Sequence, residues 1–160
     1  MGAYCFFSGF DIGGGFTHDI GLRLQERIQS RKLLVFVSSN PSAHEETDYY
    51  VNVNTGWFRN IGIEFERVDI LDDRKTEDEC TGLIANASAI FLCGGATLLQ
   101  IKFLEDYNLS PFLRGFHGAV MGVSAGAINM SVNSLYTAGK DYGKAHIYKI
   151  PKCIVLLMPV

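Results

Sequence analysis

The chain has 160 residues, a length that provides one domain with a sizeable hydrophobic core but not two. Hydrophobic residues make up 48% and charged residues 19%, which is typical of a globular protein and excludes a largely disordered one. The net charge of −3 leaves no basic surplus to neutralise phosphates, so nucleic-acid binding is not indicated. No apolar run reaches the ~20 residues of a membrane span, and no signal-peptide pattern opens the chain, which predicts a single cytoplasmic domain over residues 1–160.

The first half of the chain alternates short apolar runs with helical patterns. Leu33–Val37 is an unbroken apolar run, typical of a strand buried on both faces of a sheet. In the preceding helical pattern Ile20, Leu24 and Ile28 share one face, and Thr17 is the expected N-cap. The predicted elements are a strand at 3–8, a helix at 17–30, the strand at 33–37, a loop at 38–46, a helix at 47–60 and a strand at 64–69.

The second half continues the same alternation. Its predicted elements are a helix at 76–87, a strand at 89–93, a helix at 97–107, a connector at 109–116, a strand at 119–123, a helix beginning at 125–131, a polar loop at 136–152 and a last strand at 153–158. Because a parallel crossover needs a long connection, the pattern predicts an α/β fold with three layers (α/β/α) around a mostly parallel sheet. Ligands of such sheets bind beyond the carboxyl ends of the strands.

A sharp strand-to-helix turn is indicated at Gly122-Val123-Ser124-Ala125-Gly126, which has the G-x-S-x-G pattern. The pattern follows an apolar run and precedes a helix, which is the context of a nucleophile elbow. Such a turn raises the serine hydroxyl above the strand, and the helix N-terminus supplies backbone N–H groups for a developing oxyanion. The pattern also occurs by chance in Gly/Ser-rich turns, so its place between strand and helix is what favours chemistry.

A second glycine-rich turn follows the strand at 89–93. The residues Gly94-Gly95-Ala96-Thr97 open the next helix, and the two glycines allow backbone N–H groups to point into a site. The alternative interpretation is an ordinary helix-entry turn with Thr97 as N-cap. Four cysteines lack a C-x-x-C spacing, and the histidines and carboxylates lack ligand spacing, so we expect reduced core thiols, no metal and no cofactor.

Together the two turns carry a family resemblance. The stretch from Ile90 to Met130, IFLCGGATLLQ…GAVMGVSAGAINM, resembles the peptidase E, aspartyl dipeptidase and cyanophycinase group of serine peptidases. Those enzymes carry Gly-Gly-Asn-Thr after one strand and Gly-x-Ser-Ala-Gly-Ala after the next. The resemblance implies the three-layer fold of class I glutamine amidotransferases, with a flavodoxin-like topology. The glycine-rich loop at residues 7–16 matches a site-forming loop of the family in position.

The resemblance implies roles for individual residues. Ser124 would be the nucleophile that forms an acyl-enzyme, and the N–H groups of Gly95 and Ala125 would form the oxyanion hole. Residues beside them would contact the substrate, namely Gly94, Ala96 and Thr97. Ala96 departs from the usual Asn of the family, so that turn lacks the side-chain support of its relatives.

The catalytic base is the part of the resemblance that this sequence does not match. The family histidine lies a few tens of residues beyond the serine, whereas only 36 residues follow Ser124 here, and His146 is the single histidine among them. One option is therefore His146 as base with Asp141 as its orienting acid, and another is a histidine from elsewhere, such as His44 or His117. The third is an incomplete triad in a chain that stops short of its base, through truncation or a divergent tail.

The substrate implied by the resemblance is a short peptide with an acidic N-terminal residue. That preference needs a cation in the site, and the sequence does not choose among Arg59, Lys75, Arg114 and Lys140. The expected protein is a monomer or a homodimer that binds neither nucleic acid nor membrane.

Three other protein classes compete with this interpretation. An α/β-hydrolase esterase would need further strands after the elbow, for which 36 residues are too few. A nucleotide-binding module would use the loop at residues 9–17, which lacks both G-x-x-x-x-G-K-[ST] and the third glycine of G-x-G-x-x-G. A weak or inactive relative would keep the elbow and act as a binding or dimerising module, with an apolar edge strand at residues 154–158.

Overall fold

The computed structural model describes residues 2–10 and 13–131, together with the backbone of residues 134–137 and 145–148. The described strands are β1 (Ala3–Phe7), β2 (Leu33–Val37), β3 (Arg67–Leu71), β4 (Ala89–Leu92), β5 (Ala119–Val123), β6 (Ser134–Thr137) and β7 (Ala145–Tyr148). The described helices are α1 (His18–Arg27), α2 (His44–Asn60), α3 (Glu77–Asn86), α4 (Thr97–Asp106), α5 (Ser110–Arg114) and α6 (Ala125–Asn129). None of these helices is long and apolar enough to cross a membrane.

The first five strands form one parallel sheet in the order β1-β5-β4-β2-β3. Ala119 of β5 pairs with Ala3 on one side and Ala89 on the other, so β5 lies inside the sheet between β1 and β4. The two remaining strands, β6 and β7, pair antiparallel in a separate two-stranded sheet. All carboxyl ends of the main sheet therefore meet at a single edge of the domain.

Both faces of the main sheet are buried, which creates two hydrophobic cores. Within β2, Val35 belongs to one core while Leu34 and Phe36 belong to the other, as the alternation of a strand requires. The first core also contains buried residues of α3, α4 and α5, and the second contains buried residues of α1 and α2. The predicted three-layer α/β/α fold with a parallel sheet is thus confirmed.

At two places in the sheet, the helices that follow two adjacent strands pack on opposite faces. After β2 the chain enters α2 on one face, whereas after the adjacent β4 it enters α4 on the other. The adjacent strands β1 and β5 are likewise followed by α1 and α6, and Met130, directly after α6, packs into the core opposite that of α1. Crevices form at such points outside the carboxyl ends of the strands, and ligands of open α/β sheets bind there.

Several predicted boundaries differ from those in the structure. The strand predicted at residues 64–69 begins only at Arg67, because Glu66 and Arg67 donate to the carbonyls of Arg31 and Lys32 and so fix the parallel register beside β2. Phe65 lies before the strand and packs its ring on Phe58. The end of the predicted loop at 38–46 is helical, since α2 begins at His44.

The C-terminal region also differs from the sequence-based expectation. The segment at 136–152 was expected to be a loop, whereas β6 and β7 form an antiparallel pair that includes parts of it. The polar composition of this segment hid the pair, because a two-stranded sheet outside the core need not carry an apolar run. The strand predicted at 153–158, with Cys153, lies outside the described residues. The other three cysteines, Cys5, Cys80 and Cys93, are free thiols, as expected.

The two threonine N-caps of the domain provide a matched test of local stability. Thr76 accepts from the backbone of Glu79, whose side chain accepts from the Thr76 backbone, which completes a capping box at α3. Thr17 has the same extended backbone at the start of α1 but makes no side-chain capping bond. Thr76→Ala is expected to lower the free energy of unfolding by about 1 kcal/mol. Thr17→Ala should change it by less than about 0.5 kcal/mol, and equal losses in urea titrations would contradict this account.

Candidate active site

Ser124 occupies a strained turn between β5 and α6. Its φ is 49° and its ψ is −112°, in a region that residues with side chains rarely adopt. The turn is fixed from both sides, because the Ser124 N–H donates to the Phe7 carbonyl at 2.9 Å and its carbonyl accepts from Ile128 at 3.0 Å. Such a backbone, directly at the carboxyl end of a buried strand, is the geometry of a nucleophile elbow.

The two glycines of the elbow are required by close packing. A Cβ on Gly126 would collide with the carbonyl of Leu92, the last residue of β4. A Cβ on Gly122 would lie 2.5 Å from the Met130 sulfur and 2.7 Å from the backbone of Gly126. The first turn of α6 therefore rests directly on β4 and β5, and this close approach holds Ser124 in its conformation.

The Gly94-Gly95 turn lies against the elbow. A Cβ on Gly94 would be 3.4 Å from the Cβ of Ser124, so the two turns are in direct contact. Gly95 has a φ of 133°, and a Cβ there would overlap the hydroxyl of Ser39. The N-cap of α4 is Ala96 and Thr97 is the first helical residue, so the alternative interpretation of Thr97 as N-cap was wrong by one position.

A cavity of about 470 Å³ opens beside the two turns, at the carboxyl ends of β1, β2, β4 and β5. Its described lining comprises Gly9, Phe10, Ser39, Asn40, Ala43, Glu46, Thr47, Tyr50, Asn54, Trp57, Cys93, Gly94, Gly95, Ala96, Val123 and Ser124. Four residues predicted for the site thus share one cavity, namely Ser124, Gly94, Gly95 and Ala96. The predicted Ala125 and Thr97 are buried next to it rather than on its wall.

The geometry of the backbone N–H groups suits an oxyanion hole. Ala125 is the first residue of α6, where backbone N–H groups have no partner within the helix and point beyond its N-terminus. The positive φ of Gly95 turns the backbone of the adjacent loop in a way that only glycine adopts without strain. Gly95 lines the cavity beside Ser124, and Ala125 follows Ser124 directly, so the two residues lie on the two chain segments that form this side of the site.

A buried polar bridge fixes the crevice between β2 and β4. Gln100, on α4, donates its amide to the carbonyls of Val37, Ser38 and Cys93 at 3.2–3.3 Å. Its side-chain oxygen accepts from Asn129 at 2.8 Å. Because Asn129 belongs to α6, one glutamine side chain connects the ends of two strands to the helix that follows Ser124.

The cavity also contains a thiol that does not compete with the serine. Cys93 lies between β4 and the Gly94-Gly95 turn, and burial raises the pKa of its thiol to about 12. A thiol with that pKa is protonated at neutral pH and is a poor nucleophile. Cys93 is therefore not a competing nucleophile beside Ser124 at neutral pH.

The described histidines lie elsewhere. His44 is bonded to Asp73, beyond the far edge strand β3, and His117 precedes β5 at the opposite end of the sheet from Ser124. His18 is exposed at the start of α1. None of these three lines the cavity. His146 belongs to β7, where its backbone pairs with Tyr136, but its side chain is outside the described part, as is all of Asp141.

One cluster of potential metal ligands occurs among the described residues. Oxygen or nitrogen atoms of His44, Asp72 and Asp73 lie within 4.8 Å of one another. Asp72 already accepts from the Arg74 guanidinium at 2.9 Å, and His44 is bonded to Asp73. Each carboxylate thus has a hydrogen-bond partner in the chain, and none of the three residues lines the cavity.

The basic residues considered for substrate binding are also absent from the described lining of the cavity. Lys75 is 2.9 Å from Asp69, Arg59 is exposed in the last turn of α2, and Arg114 ends α5. Lys140 lies outside the described residues. The single charged side chain of the described lining is Glu46.

Sequence reasoning missed one wall of the cavity, which α2 provides. Glu46, Tyr50 and Asn54 occur four residues apart, so they share one helix face. The spacing was visible in the sequence. The sequence did not indicate that these residues line a cavity, because the start of α2 was predicted to be a loop and polar residues on a helix ordinarily face solvent.

The fold and the elbow define a class of three-layer α/β protein with a serine in a sharp turn at the carboxyl edge of a parallel sheet. The family model of Peptidase family S51 matches residues 12–152, and the chain belongs to that family. This membership confirms the family resemblance carried by the two turns.

Solved structures share the fold at low sequence identity. A protein of Listeria monocytogenes EGD-e, named as a candidate peptidase E, has a TM-score of 0.61 and 21% identity, covering 83% of this chain and 63% of its own. A peptidase from an acI-B1 Actinobacterium has a TM-score of 0.56 and 16% identity, covering 84% and 59%. The chain thus spans about three fifths of the length of these structures. A search among curated proteins found no match.

Glycine substitutions provide a test of the elbow packing. Gly126→Ala is expected to lower the free energy of unfolding by roughly 1–3 kcal/mol or more, because its methyl group collides with the Leu92 carbonyl. Gly82→Ala is the matched control, since Gly82 lies inside α3 with no atom near the added Cβ. It should raise stability by about 0.5–1 kcal/mol. Urea titrations in which Gly126→Ala is tolerated as well as Gly82→Ala would contradict the proposed packing.

Proposed function

We propose that the protein is a serine peptidase that hydrolyses short peptides through an acyl-enzyme on Ser124. The observation that carries the proposal is the strained Ser124 turn, which faces a cavity shared with the Gly94-Gly95 turn in a member of family S51. Strained backbone persists where the surrounding packing enforces it and is concentrated at functional sites. Here that packing is the contact of Gly126 with β4.

The proposed chemistry proceeds in two steps. The Ser124 oxygen attacks the scissile carbonyl and loses its proton to a base, while the N–H groups of Gly95 and Ala125 stabilise the oxyanion. The peptide C–N bond breaks, the base returns the proton to the leaving amine, and an ester remains on Ser124. Water, deprotonated by the same base, then cleaves the ester and restores the hydroxyl group.

His146 is the proposed base, with Asp141 as its orienting acid. The support is positional: β6 contacts α6, the helix that follows Ser124, and β7 pairs with β6. His146 thus belongs to the strand that pairs with the neighbour of α6. A histidine is the usual activator of a serine hydroxyl at neutral pH.

The proposed substrate is a peptide of about two to three residues. A cavity of about 470 Å³ is within the range of small-molecule sites and too small for a folded protein segment. The preference for aspartyl peptides that the resemblance implies requires a cation. Since Arg59, Lys75 and Arg114 do not line the cavity, that preference rests on Lys140 alone among the residues considered.

A non-catalytic binding module remains the second candidate. It is favoured by one observation, that none of the three histidines with a described side chain lines the cavity. In that case the elbow would be retained as a structural feature, and the cavity would hold a peptide without cleaving it.

Peptide hydrolysis by the wild type, three test variants and one control variant tests the proposal. A dipeptide panel with Asp, Ala and Lys at the N-terminus is followed by release of free amino acids. Ser124→Ala and His146→Ala should each lose roughly 10³–10⁶-fold in kcat/KM, and Asp141→Asn should lose less. His18→Ala is the matched control and should be unchanged, because His18 is exposed and outside the cavity. A wild type that binds but cleaves no member of the panel would contradict the proposal and favour the binding module.

A further inference from the structure

Gln100, on α4, is a buried hydrogen-bonding residue that does not itself line the cavity. Its exposure is 0%. The amide nitrogen donates to the Val37 carbonyl at 3.2 Å, to that of Ser38 at 3.3 Å and to that of Cys93 at 3.2 Å. Because an amide carries only two N–H bonds, the three acceptors share them. The ends of β2 and β4 therefore converge on one nitrogen atom.

The same side chain reaches the helix that follows Ser124. Its oxygen accepts at 2.8 Å from the amide of Asn129, the last residue of α6, and that amide also donates to the Thr97 carbonyl at 3.2 Å. Asn129 is 1% exposed, and its own side-chain oxygen has no partner within the described part of the chain. An apolar pair of the same shape would be about as stable, so stability alone does not explain two buried amides here.

Two of the carbonyls bound by Gln100 orient the chain at the wall of the cavity. The Cys93 carbonyl belongs to the peptide group that leads into Gly94. The Ser38 carbonyl belongs to the peptide group that leads into Ser39. Since a peptide group is planar, a hydrogen bond that fixes its carbonyl also fixes the direction of its N–H. Both of these peptide groups lead into residues that line the cavity, so Gln100 orients two segments of its wall.

The Gly94-Gly95 turn needs support from outside. Two consecutive glycines restrict the backbone little, and Ala96 has no polar side chain with which to hold the turn. Gly95 has a φ of 133°, and a Cβ there would overlap the Ser39 hydroxyl, so the turn packs against the other wall segment. On its opposite side the turn contacts Ser124, whose Cβ would lie 3.4 Å from a Cβ on Gly94.

We propose that Gln100 is a positioning residue for the chemistry at Ser124. By holding the Cys93 carbonyl, it keeps the Gly94-Gly95 turn in the orientation that directs the Gly95 N–H toward the developing oxyanion. The inference rests on the serine peptidase function proposed above and adds a residue to it. Since Gln100 does not line the cavity, it acts on the reacting carbonyl through the backbone of the turn and not through contact with the substrate.

Labelling kinetics of a Gln100 variant test the inference. An oxyanion donor stabilises the transition state more than the bound ground state, so its misplacement slows the covalent step more than it weakens binding. Gln100→Met keeps the length of the side chain and removes its three donated bonds and one accepted bond. At saturating fluorophosphonate, the first-order rate of Ser124 labelling should fall about 10–100-fold. The half-saturating concentration should change by less than about threefold.

Leu104→Val is the matched control, because Leu104 is buried in the same helix but has no polar group for the strand-end carbonyls. It should label at the wild-type rate even if it lowers the free energy of unfolding. If Gln100→Met does not fold, as judged by circular dichroism, the double variant with Asn129→Leu takes its place. That variant replaces both amides by apolar groups, which leaves no buried partner unsatisfied by the loss of the other.

Three results would overturn the inference while labelling of the wild type leaves the proposed function intact. They are a wild-type rate in folded Gln100→Met, an equal fall in Leu104→Val, and a change confined to the half-saturating concentration. Loss of folding in both the single and the double variant would assign Gln100 to stability and overturn the inference as well. A wild-type chain that takes up no label would refute the proposed function, and the inference with it.

Discussion

The close packing of α6 on β4 is the constraint from which the rest of the site follows. Gly126 lies so near the Leu92 carbonyl that no Cβ fits, and this contact forces the chain to turn at Ser124 with a positive φ. The strained residue is then held by its N–H bond to Phe7 and by the first turn of α6. Ser124 thereby lines the cavity at the carboxyl edge of the sheet, which is where open α/β folds bind ligands.

The hydrogen bonds of Gln100 hold together the segments that surround Ser124. Gln100 connects the ends of β2 and β4 through three carbonyls and reaches α6 through Asn129, so a single side chain joins the crevice to the elbow helix. Pre-organised donors need no rearrangement when charge develops on a reacting carbonyl, which is the physical basis of oxyanion stabilisation. The polar wall of α2, with Glu46, Tyr50 and Asn54, lines the same cavity.

The layers and the elbow could be predicted from sequence because both depend on local signals. Unbroken apolar strands such as Leu33–Val37 and the G-x-S-x-G turn each carry their meaning within a few residues. The start of β3 was displaced because pairing with β2, not the alternation at residues 64–69, sets the register. The wall of α2 and the hydrogen bonds of Gln100 depend on contacts between segments that are distant in the sequence. The residues next to a single polar residue do not predict such contacts.

The central claim is that the packing around Ser124 presents an activated hydroxyl to the cavity. Labelling with a fluorophosphonate, read by intact mass and peptide mapping, tests it most directly, with Ser124→Ala as the control. The account predicts one label per chain at Ser124 and none in the variant. A folded wild-type chain that takes up no label, or takes it up equally after Ser124→Ala, would contradict it and leave the elbow as a structural turn.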